Sequence, residues 1–287
     1  MQLPHIARLY FVVVVTLMTT ACTSLLFHPT HIFPITPQRL NLAYEDVFIT
    51  MPDQTQLHGW FLPAEKQAKA TVLFLHGNAQ NISNHLASVH WMPRYQINVF
   101  LLDYRGYGRS KGKPDLKNIV EDTNVVIEHL LQQPESRDNL VVFGQSLGGA
   151  IAINALAQSP YKDKIHGLIV EGAFSDIRLI AREKLAGFWL TWPFQWPLSY
   201  LMNGNYDPID TIADIAPIPL LIAHGKKDSI VPIHHGQALF QAAEAPKEYW
   251  QFDDAKHIDA FIDETARLKL SQYIENLIPK IPTSAPQ

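Results

Sequence analysis

The sequence is poor in charge and has almost no cysteine. Lys and Arg number 23 against 27 Asp and Glu in 287 residues, the formal net charge is -4, and no long run of like charge occurs. Such a chain is not expected to have a strongly positive surface that attracts nucleic-acid phosphates, so nucleic acid is not an expected partner. The single cysteine excludes an intramolecular disulfide framework and any metal site built from several cysteines. No internal repeat divides the chain, and its 47% hydrophobic content is enough for one large core.

The single cysteine follows an apolar N-terminal segment. The first residues read MQLPHIARLYFVVVVTLMTTAC, with Arg8 ahead of the apolar run and Ala21 just before Cys22. This layout is typical of a secretory signal, here residues 1–21. A cysteine at this place resembles the lipobox of bacterial lipoproteins, although Thr19 stands where that group usually has an aliphatic residue. The resemblance predicts lipidation of Cys22 and a membrane-anchored protein on the exported side of a bacterial cell envelope, at the inner or the outer membrane.

Two other interpretations of this segment stay open. Extended to Phe27, the uncharged run is near the minimum length of an uncleaved membrane-spanning helix, although its threonines make it a poor one. A plain signal that is cleaved is the second alternative. Residues 22–43 contain prolines at positions 29, 34 and 37, and we expect them to form an extended tether between the lipidated cysteine and the domain that follows.

From residue 44 onward, strand-like and helix-like segments alternate. YEDVFIT and LHGWFLP are predicted to form a leading antiparallel pair of strands. Six further strands are predicted from the apolar runs ATVLFLHG, NVFLLDYRG, NLVVFGQS, IHGLIVEG and IPLLIAHG, followed by EYWQFD. Helices are predicted near residues 81–90, 115–131, 147–158, 233–243 and 258–277. The alternation favours an α/β fold with a mostly parallel eight-stranded sheet and helices on both faces. We assign residues 44–277 to this domain and residues 278–287, which contain three prolines, to a flexible tail.

The segment VVFGQSLGGA, residues 141–150, places a serine where a predicted strand turns into a predicted helix. Gly144 and Gly148 flank Ser146 at G-x-S-x-G spacing and allow the backbone to pass closely. This arrangement is typical of a nucleophile elbow. The alternative is a simple Gly-Ser turn, which requires that the other catalytic parts be absent.

A serine nucleophile needs a base that takes its proton and an acid that orients the base. His257, in FDDAKHID, lies just after the last predicted strand and is the candidate base. Asp228, in HGKKDSIVP, follows the preceding strand and is the candidate acid. Asp253 and Asp254 are the rivals, but they share a short loop with the histidine and would have difficulty reaching its Nδ1 atom.

Several motifs together resemble one known family. HGWFLPA, VLFLHGNAQN, LLDYRGYGRSKGKP, GQSLGGAIA, HGKKDSIVP and AKHID are similar to those of α/β-hydrolase-fold serine hydrolases of the esterase, lysophospholipase and serine-aminopeptidase-like group. The resemblance extends from about residue 44 to about residue 277. It implies the α/β-hydrolase fold and a catalytic triad of Ser146, Asp228 and His257, whose order along the chain is that of the family.

Hydrolysis also needs donors for the oxyanion of the tetrahedral intermediate. In this family the backbone N–H that follows the nucleophile supplies one donor, which is Leu147 here. The loop HGNAQN after the third predicted strand supplies the other, and we assign it to the N–H of Asn78. Neither a zinc motif nor a nucleotide motif is present in the sequence, and the chemistry needs no cofactor.

Residues 172–217 interrupt the alternation and are predicted to form a small helical cap over the nucleophile, as the resemblance implies. Their centre, FWLTWPFQWPLSYLMNGNYDP, is rich in Trp and Pro. Five aromatic side chains could line an apolar acyl pocket or could simply pack the cap onto the domain: Phe188, Trp189, Trp192, Phe194 and Trp196. The resulting prediction is a hydrolase of carboxylic esters or thioesters with acyl or lipid-like groups. The alternatives are a serine aminopeptidase-like peptidase and a catalytically silent ligand-binding lipoprotein.

Overall fold

The computed structural model describes residues 27–202 and 204–279. The predicted signal segment at residues 1–21, Cys22 and most of the predicted tail lie outside these residues, so the expectation of lipidation stays a prediction. Within the described parts of the chain, no helix is both long and apolar enough to cross a membrane.

A single eight-stranded sheet forms the centre of the molecule. Its strands are β1 (Glu45–Thr50), β2 (Gln56–Leu62), β3 (Ala70–Leu75), β4 (Ile97–Asp103), β5 (Leu140–Gln145), β6 (Ile165–Glu171), β7 (Leu220–Gly225) and β8 (Lys247–Phe252). They lie in the order β8-β7-β6-β5-β3-β4-β2-β1. The strand β2 pairs antiparallel with both of its neighbours, and the remaining pairs are parallel. All eight predicted strands are therefore present, and the predicted α/β-hydrolase sheet is confirmed.

Eight α-helices accompany the sheet in the described residues. They are α1 (Ile82–His85), α2 (Leu116–Leu131), α3 (Leu147–Ala157), α4 (Ile177–Ala186), α5 (Gln195–Ser199), α6 (Pro208–Thr211), α7 (Ile233–Ala242) and α8 (Glu264–Leu277). Of these, α4, α5 and α6 belong to the predicted cap, so the insertion is helical as expected. Short 3-10 segments, such as Leu86–Ser88 and Trp192–Phe194, extend or join the helices.

The central strands are buried on both faces and separate two hydrophobic cores. Along β3, Leu73 and Leu75 belong to the core that also holds apolar residues of α2 and α3, whereas Val72 and Phe74 face the core formed with α1 and α8. Successive side chains of a strand point to opposite faces, so one continuous apolar run serves both layers. This arrangement holds the carboxyl ends of the parallel strands at one edge of the sheet.

Two predicted helices are shorter in the structure than their sequences suggested. The helix predicted over residues 258–277 begins only at Glu264, because the side chain of Asp263 caps it by accepting the N–H of Ala266 at 2.8 Å. The helix predicted over residues 81–90 ends at His85 and continues as a 3-10 turn. The capping residue Asp263 therefore fixed the start of α8 more sharply than the apolar pattern did.

The expectation of an extended tether is wrong for residues 27–43. Phe27 is buried in the core, and His28–Pro29 pair in parallel with Ala79–Gln80. The side chain of Asn81 donates to the carbonyl oxygens of Thr30 and Ile32 at 3.0 and 2.9 Å. These bonds hold the segment on the domain, because its backbone finds partners that a free tether would lack.

Candidate active site

The turn between β5 and α3 holds Ser146 in a strained backbone conformation, with φ 53° and ψ −117°. A Cβ atom on Gly144 would lie 2.4 Å from the carbonyl oxygen of Gly148, and one on Gly148 would lie 2.0 Å from that of Leu75. Only glycine fits at either position, so the two glycines allow the sharp turn. The turn is the elbow expected from the sequence, and strain of this kind is typical of functional sites.

The candidate base contacts the candidate acid directly. Nδ1 of His257 lies 2.8 Å from Oδ2 of Asp228, whose carboxylate is buried. The other oxygen of Asp228 accepts the backbone N–H groups of Ile230 and Val231, both at 2.8 Å. These bonds fix the carboxylate and leave Nε2 of the imidazole as the nitrogen that can take a proton.

The rival carboxylates do not contact His257 in the structure. Asp253 lies 3.6 Å from Nζ of Lys226, and Asp254 lies 2.6 Å from Nζ of Lys227. All four side chains are largely exposed to solvent. The rivals therefore form surface ion pairs, whereas Asp228 lies at the end of β7 beside the imidazole.

A second histidine supports the acid. Nε2 of His224 donates to the carbonyl oxygen of Val231 at 2.8 Å and lies 3.5 Å from Oδ2 of Asp228. Burial by itself raises the pKa of Asp228, but hydrogen bonds from His224, His257 and the Val231 N–H outweigh it and hold the pKa well below its usual range. Asp228 is therefore ionised at neutral pH and can stabilise a positive charge on His257.

The chain segment that joins the serine to the acid and base is the end of β6. The N–H of Ser146 donates to the carbonyl oxygen of Glu171 at 2.8 Å. The next residue, Gly172, has φ +60°, and a Cβ atom there would lie 3.4 Å from both Oδ2 of Asp228 and Nδ1 of His257. The elbow and the acid–base pair thus lie next to two consecutive residues, Glu171 and Gly172.

The buried side chain of Glu171 also connects two parts of the site, the residue before Ser146 and the loop after His257. Its Oε2 accepts from Nε2 of Gln145 at 2.6 Å, and its Oε1 accepts the N–H of Ala260 at 2.8 Å. Burial raises the pKa of Glu171 to about 7, against the lowering effects of these two bonds and of His257. The carboxyl group therefore holds the residue before Ser146 to the loop after His257, a role that the sequence did not indicate.

We expect Glu171→Gln to change how stability depends on pH. A raised folded-state pKa means that the folded protein binds more protons than the unfolded chain between about pH 4.5 and 7, so the unfolding free energy falls as pH rises through that window. This difference in pKa between the folded and unfolded states corresponds to about 3 kcal/mol of unfolding free energy, at 1.36 kcal/mol per pKa unit. Relative to the wild type, the unfolding free energy of the variant should rise by about 2.5 kcal/mol between pH 5 and pH 8 in denaturant unfolding, since part of the window lies below pH 5.

A glutamine at this position can keep both contacts. Oε1 of Gln145 is buried and has no hydrogen-bond partner among the described residues, so rotation of its amide would present an acceptor to the new side-chain N–H. The exposed Glu135→Gln serves as the control for the loss of one carboxylate. Parallel stability curves for wild type and Glu171→Gln between pH 5 and 8 would show that Glu171 does not titrate there.

The two proposed oxyanion donors lie beside the serine. Leu147 is the first residue of α3, so its N–H has no partner within the helix. Asn78 lies in the loop after β3, and both residues line the same cavity as Ser146. The hydroxyl of Tyr107 donates to the carbonyl oxygen of Asn78 at 2.6 Å, and burial raises the pKa of Tyr107, so this donor keeps its proton. The tyrosine thereby fixes the loop that carries Asn78.

The cavity at Ser146 has a volume of about 400 Å³. It is lined mainly by aliphatic side chains from α4 and the loop after Asp228. The lining residues besides Asn78, Ser146 and Leu147 are His28, Phe174, Ile177, Ile180, Ala181, Lys184, Met202, Ile230 and Val231. Its walls are therefore mainly apolar, and the serine and the residues with the candidate oxyanion donors belong to the same lining.

The five cap aromatics predicted to line this cavity do not do so. Their exposed fractions range from 52% for Phe188 to 78% for Trp189, with Trp192, Phe194 and Trp196 between these values. The apolar residues of α4 and Met202 take the place that the sequence suggested for them. The other expectation, that these aromatics pack the cap onto the domain, is equally wrong for side chains that are more than half exposed.

One cluster among the described residues has a composition that could bind a metal. Glu183 lies 2.9 Å from Nε2 of His234 and 3.1 Å from Nε2 of His235. However, Nδ1 of His235 accepts the backbone N–H of Ser175 at 3.1 Å, so Nε2 carries the proton and donates to the glutamate. A nitrogen that binds a metal needs a free lone pair, which the protonated Nε2 of His235 lacks. The cluster is therefore a set of hydrogen bonds that link α4 to α7.

The sheet order and the serine on the turn between β5 and α3 define an α/β hydrolase. Comparison with known proteins leads to the same class. A family model described as serine aminopeptidase, S33, matches residues 66–207. The uncharacterized protein YfhR of Escherichia coli K12 is 34% identical over 239 residues, which cover 82% of this chain and 80% of that protein. The α/β hydrolase domain-containing protein WAV2 of Arabidopsis thaliana is 34% identical over 243 residues, which cover 80% of this chain and 77% of the relative.

Among solved structures, the Pyrococcus furiosus esterase Pf2001 has the same fold. It superposes with a TM-score of 0.68 at 21% identity, over 88% of this chain and 96% of the esterase. The chain therefore belongs to the α/β-hydrolase family, in a group that includes YfhR and WAV2. The family match supports a hydrolase.

Proposed function

We propose that the protein is a serine hydrolase that cleaves carboxylic esters or thioesters with apolar acyl groups. The observation that supports this most strongly is the aliphatic cavity of about 400 Å³ that begins at Ser146. A cavity of this size and lining suits an acyl chain, whose burial is favourable by about 0.8 kcal/mol per CH₂ group.

In the proposed reaction, Oγ of Ser146 attacks the carbonyl carbon while Nε2 of His257 takes the hydroxyl proton. Asp228 stabilises the imidazolium that forms. The N–H groups of Leu147 and Asn78 donate to the oxyanion of the tetrahedral intermediate. The imidazolium then gives its proton to the leaving alcohol or thiol, which leaves an acyl-enzyme on the serine. Water, activated by the same histidine, hydrolyses this ester and restores the free enzyme.

The cavity favours esters over peptides with a free amino terminus. Such a peptide carries a protonated amino group, and burying that charge in an apolar cavity requires an anionic partner. Among the described residues that line the cavity, none is acidic, and Lys184 is the one that carries a permanent charge. In an aminopeptidase, the protonated amino group of the substrate would therefore lie near the positive charge of Lys184 without an anionic partner.

A substrate panel tests this proposal. We expect hydrolysis of p-nitrophenyl esters and of acyl thioesters, with little action on aminoacyl p-nitroanilides. Faster cleavage of the anilides than of the esters would support the peptidase alternative instead. A folded protein that cleaves none of them would support the alternative of a silent ligand-binding protein.

We expect Ala181→Leu to shorten the preferred acyl chain. Ala181 lines the cavity on α4, so a leucine there should displace several methylene groups of a long acyl chain. If three groups lose their place, the cost is about 2.4 kcal/mol, or roughly 50-fold in kcat/KM for long-chain esters. Acetyl esters should be hydrolysed at nearly the wild-type rate. The matched control is Ala87→Leu at an exposed position, which should leave the chain-length profile unchanged.

The chain-length profile distinguishes this cavity from other binding sites. An equal loss for acetyl and long-chain esters in Ala181→Leu would indicate damage to the catalytic groups rather than a shortened cavity. An unchanged profile would place the acyl chain elsewhere on the protein.

A further inference from the structure

The centre of the cap is an exposed stretch without charge. Residues 188–200, which we call the aromatic segment, read FWLTWPFQWPLSY and contain no acidic residue, basic residue or histidine. All eight large apolar side chains in the segment are exposed, by 37% to 78%. Because one aromatic side chain buries roughly 150–250 Å² when packed, the exposed apolar area is on the order of 500 Å² or more. This is at the upper end of the patches found on monomeric soluble proteins, and such patches mark interaction sites.

The backbone of the aromatic segment is folded by its own hydrogen bonds. The N–H of Trp192 donates to the carbonyl oxygen of Phe188 at 2.9 Å, and the N–H of Phe194 donates to that of Thr191 at 2.9 Å. A 3-10 turn at Trp192–Phe194 and the helix α5 therefore form without covering the aromatic side chains. The segment is therefore folded, yet among the described residues its large apolar side chains stay only partly covered.

Cations flank the aromatic segment. The guanidinium of Arg182 lies 4.5 Å from the ring centroid of Trp196, and that of Arg178 lies 5.8 Å from the ring centroid of Tyr200. Both arginines belong to α4. The acidic residue of that helix, Glu183, contacts His234 and His235 instead. Uncharged aromatic and aliphatic side chains bordered by arginine are typical of a protein surface that enters a membrane interface beside anionic lipid headgroups.

The first described residues lie at the cavity that α4 also lines. His28 lines the cavity at Ser146, and so do Ile177, Ile180 and Ala181 of α4, the helix that carries the two arginines. The apolar run from Leu9 to Met18 precedes His28 by ten residues, which span at most about 35 Å when extended. The described chain therefore begins at a cavity that the cap helix α4 also lines, and only ten residues separate His28 from the apolar run.

We propose that the aromatic segment inserts into the interface of a lipid bilayer that contains anionic lipids. Insertion covers the exposed aromatic side chains and places the arginines of α4 at the headgroups. The cavity at Ser146 then lies next to the membrane, since α4 contributes to both surfaces. The insertion does not depend on the proposed hydrolysis, and its test requires no turnover.

Tryptophan quenching by brominated lipid tests this insertion. Three of the six tryptophans lie in the aromatic segment, whereas Trp60 and Trp91 are buried in the core. The full chain would be reconstituted with phosphatidylcholine vesicles that contain phosphatidylglycerol, with and without bromine on the acyl chains. We expect a blue shift of the emission and a bromine-dependent loss of up to about half of its intensity. Co-sedimentation alone would not suffice, because the N-terminal segment could hold the protein on the vesicles.

The variant Phe188→Ser/Leu190→Ser/Phe194→Ser removes apolar contact while it keeps the three tryptophans as reporters. Its bromine-dependent loss of tryptophan fluorescence should be at least twofold smaller than that of the wild type. The control Ile262→Ser/Leu268→Ser alters exposed apolar residues outside the cap and should behave like wild type. Vesicle-bound wild type without quenching, or equal quenching in the triple variant, would overturn the proposal. A blue shift that grows with protein concentration in the absence of lipid would assign the surface to a second copy of the chain.

Discussion

Ser146→Ala should lower kcat for ester hydrolysis by roughly three to six orders of magnitude. The substitution removes the oxygen that forms the acyl-enzyme, while the donors at Leu147 and Asn78 remain. The measurement is steady-state and single-turnover kinetics with the best ester of the panel. Circular dichroism and thermal unfolding should show a folded protein, because the alanine can keep the backbone hydrogen bond from residue 146 to Glu171.

The control for this prediction is Ser88→Ala, which changes a half-buried serine outside the cavity and should leave kcat unchanged. Residual activity of Ser146→Ala close to wild type would show that the nucleophile is another group. The kinetic loss should appear with every acyl chain length, because the attack step is common to all of them.

Asp228→Asn should lower kcat by roughly four orders of magnitude with little change in substrate binding. The carboxylate accepts from Nδ1 of His257 at 2.8 Å and so keeps Nε2 free to take the serine proton. An asparagine can donate to Nδ1 and thereby favour the wrong tautomer, and it cannot stabilise the imidazolium. The measurement is kcat and KM of the purified variant across the pH range in which it stays folded.

Asp253→Asn and Asp254→Asn are matched controls, since each removes one carboxylate near the same loop. Both side chains are exposed and paired with lysines, so each variant should retain nearly the full rate. If either variant lost four orders of magnitude in kcat while Asp228→Asn stayed active, the orienting acid would be that residue and not Asp228.

The sheet and the candidate triad could be predicted because each depends on a local signal in the sequence. Each inner strand from β3 to β7 coincides with an apolar run, since strands covered on both faces must be largely apolar. Ser146 was indicated by glycines two residues away on either side, and close backbone contacts at Gly144 and Gly148 are the physical cause of that spacing. Asp228 and His257 were found because each follows a strand that ends at the same edge of the sheet.

The supporting residues could not be predicted, because their roles depend on contacts that are distant in sequence. Glu171 ends an apolar strand and contacts Gln145 and Ala260, which are 26 and 89 residues away. Nothing in its neighbourhood distinguishes it from an exposed carboxylate at the end of a strand. Tyr107 is similar, since its bond to the loop of Asn78 joins two different connections of the sheet.

The cap aromatics show a different limit of sequence interpretation. Their composition indicates that residues 188–200 must contact something apolar, but composition does not say what. Both expectations, a pocket lining and a packed cap, assumed that large apolar side chains are covered within the same chain. The structure leaves them exposed, and aliphatic residues of α4 line the cavity beside Ser146 in their place.

Covalent labelling tests the proposed nucleophile most directly. The full chain would react with a fluorophosphonate, which phosphonylates activated serines, and the modified peptide would be identified by mass spectrometry. The proposed mechanism predicts one modification, on Ser146, at a rate that falls when Asp228 is replaced by asparagine and that disappears in Ser146→Ala. A folded wild-type protein that stays unmodified, or that carries the label on a different serine, would contradict it.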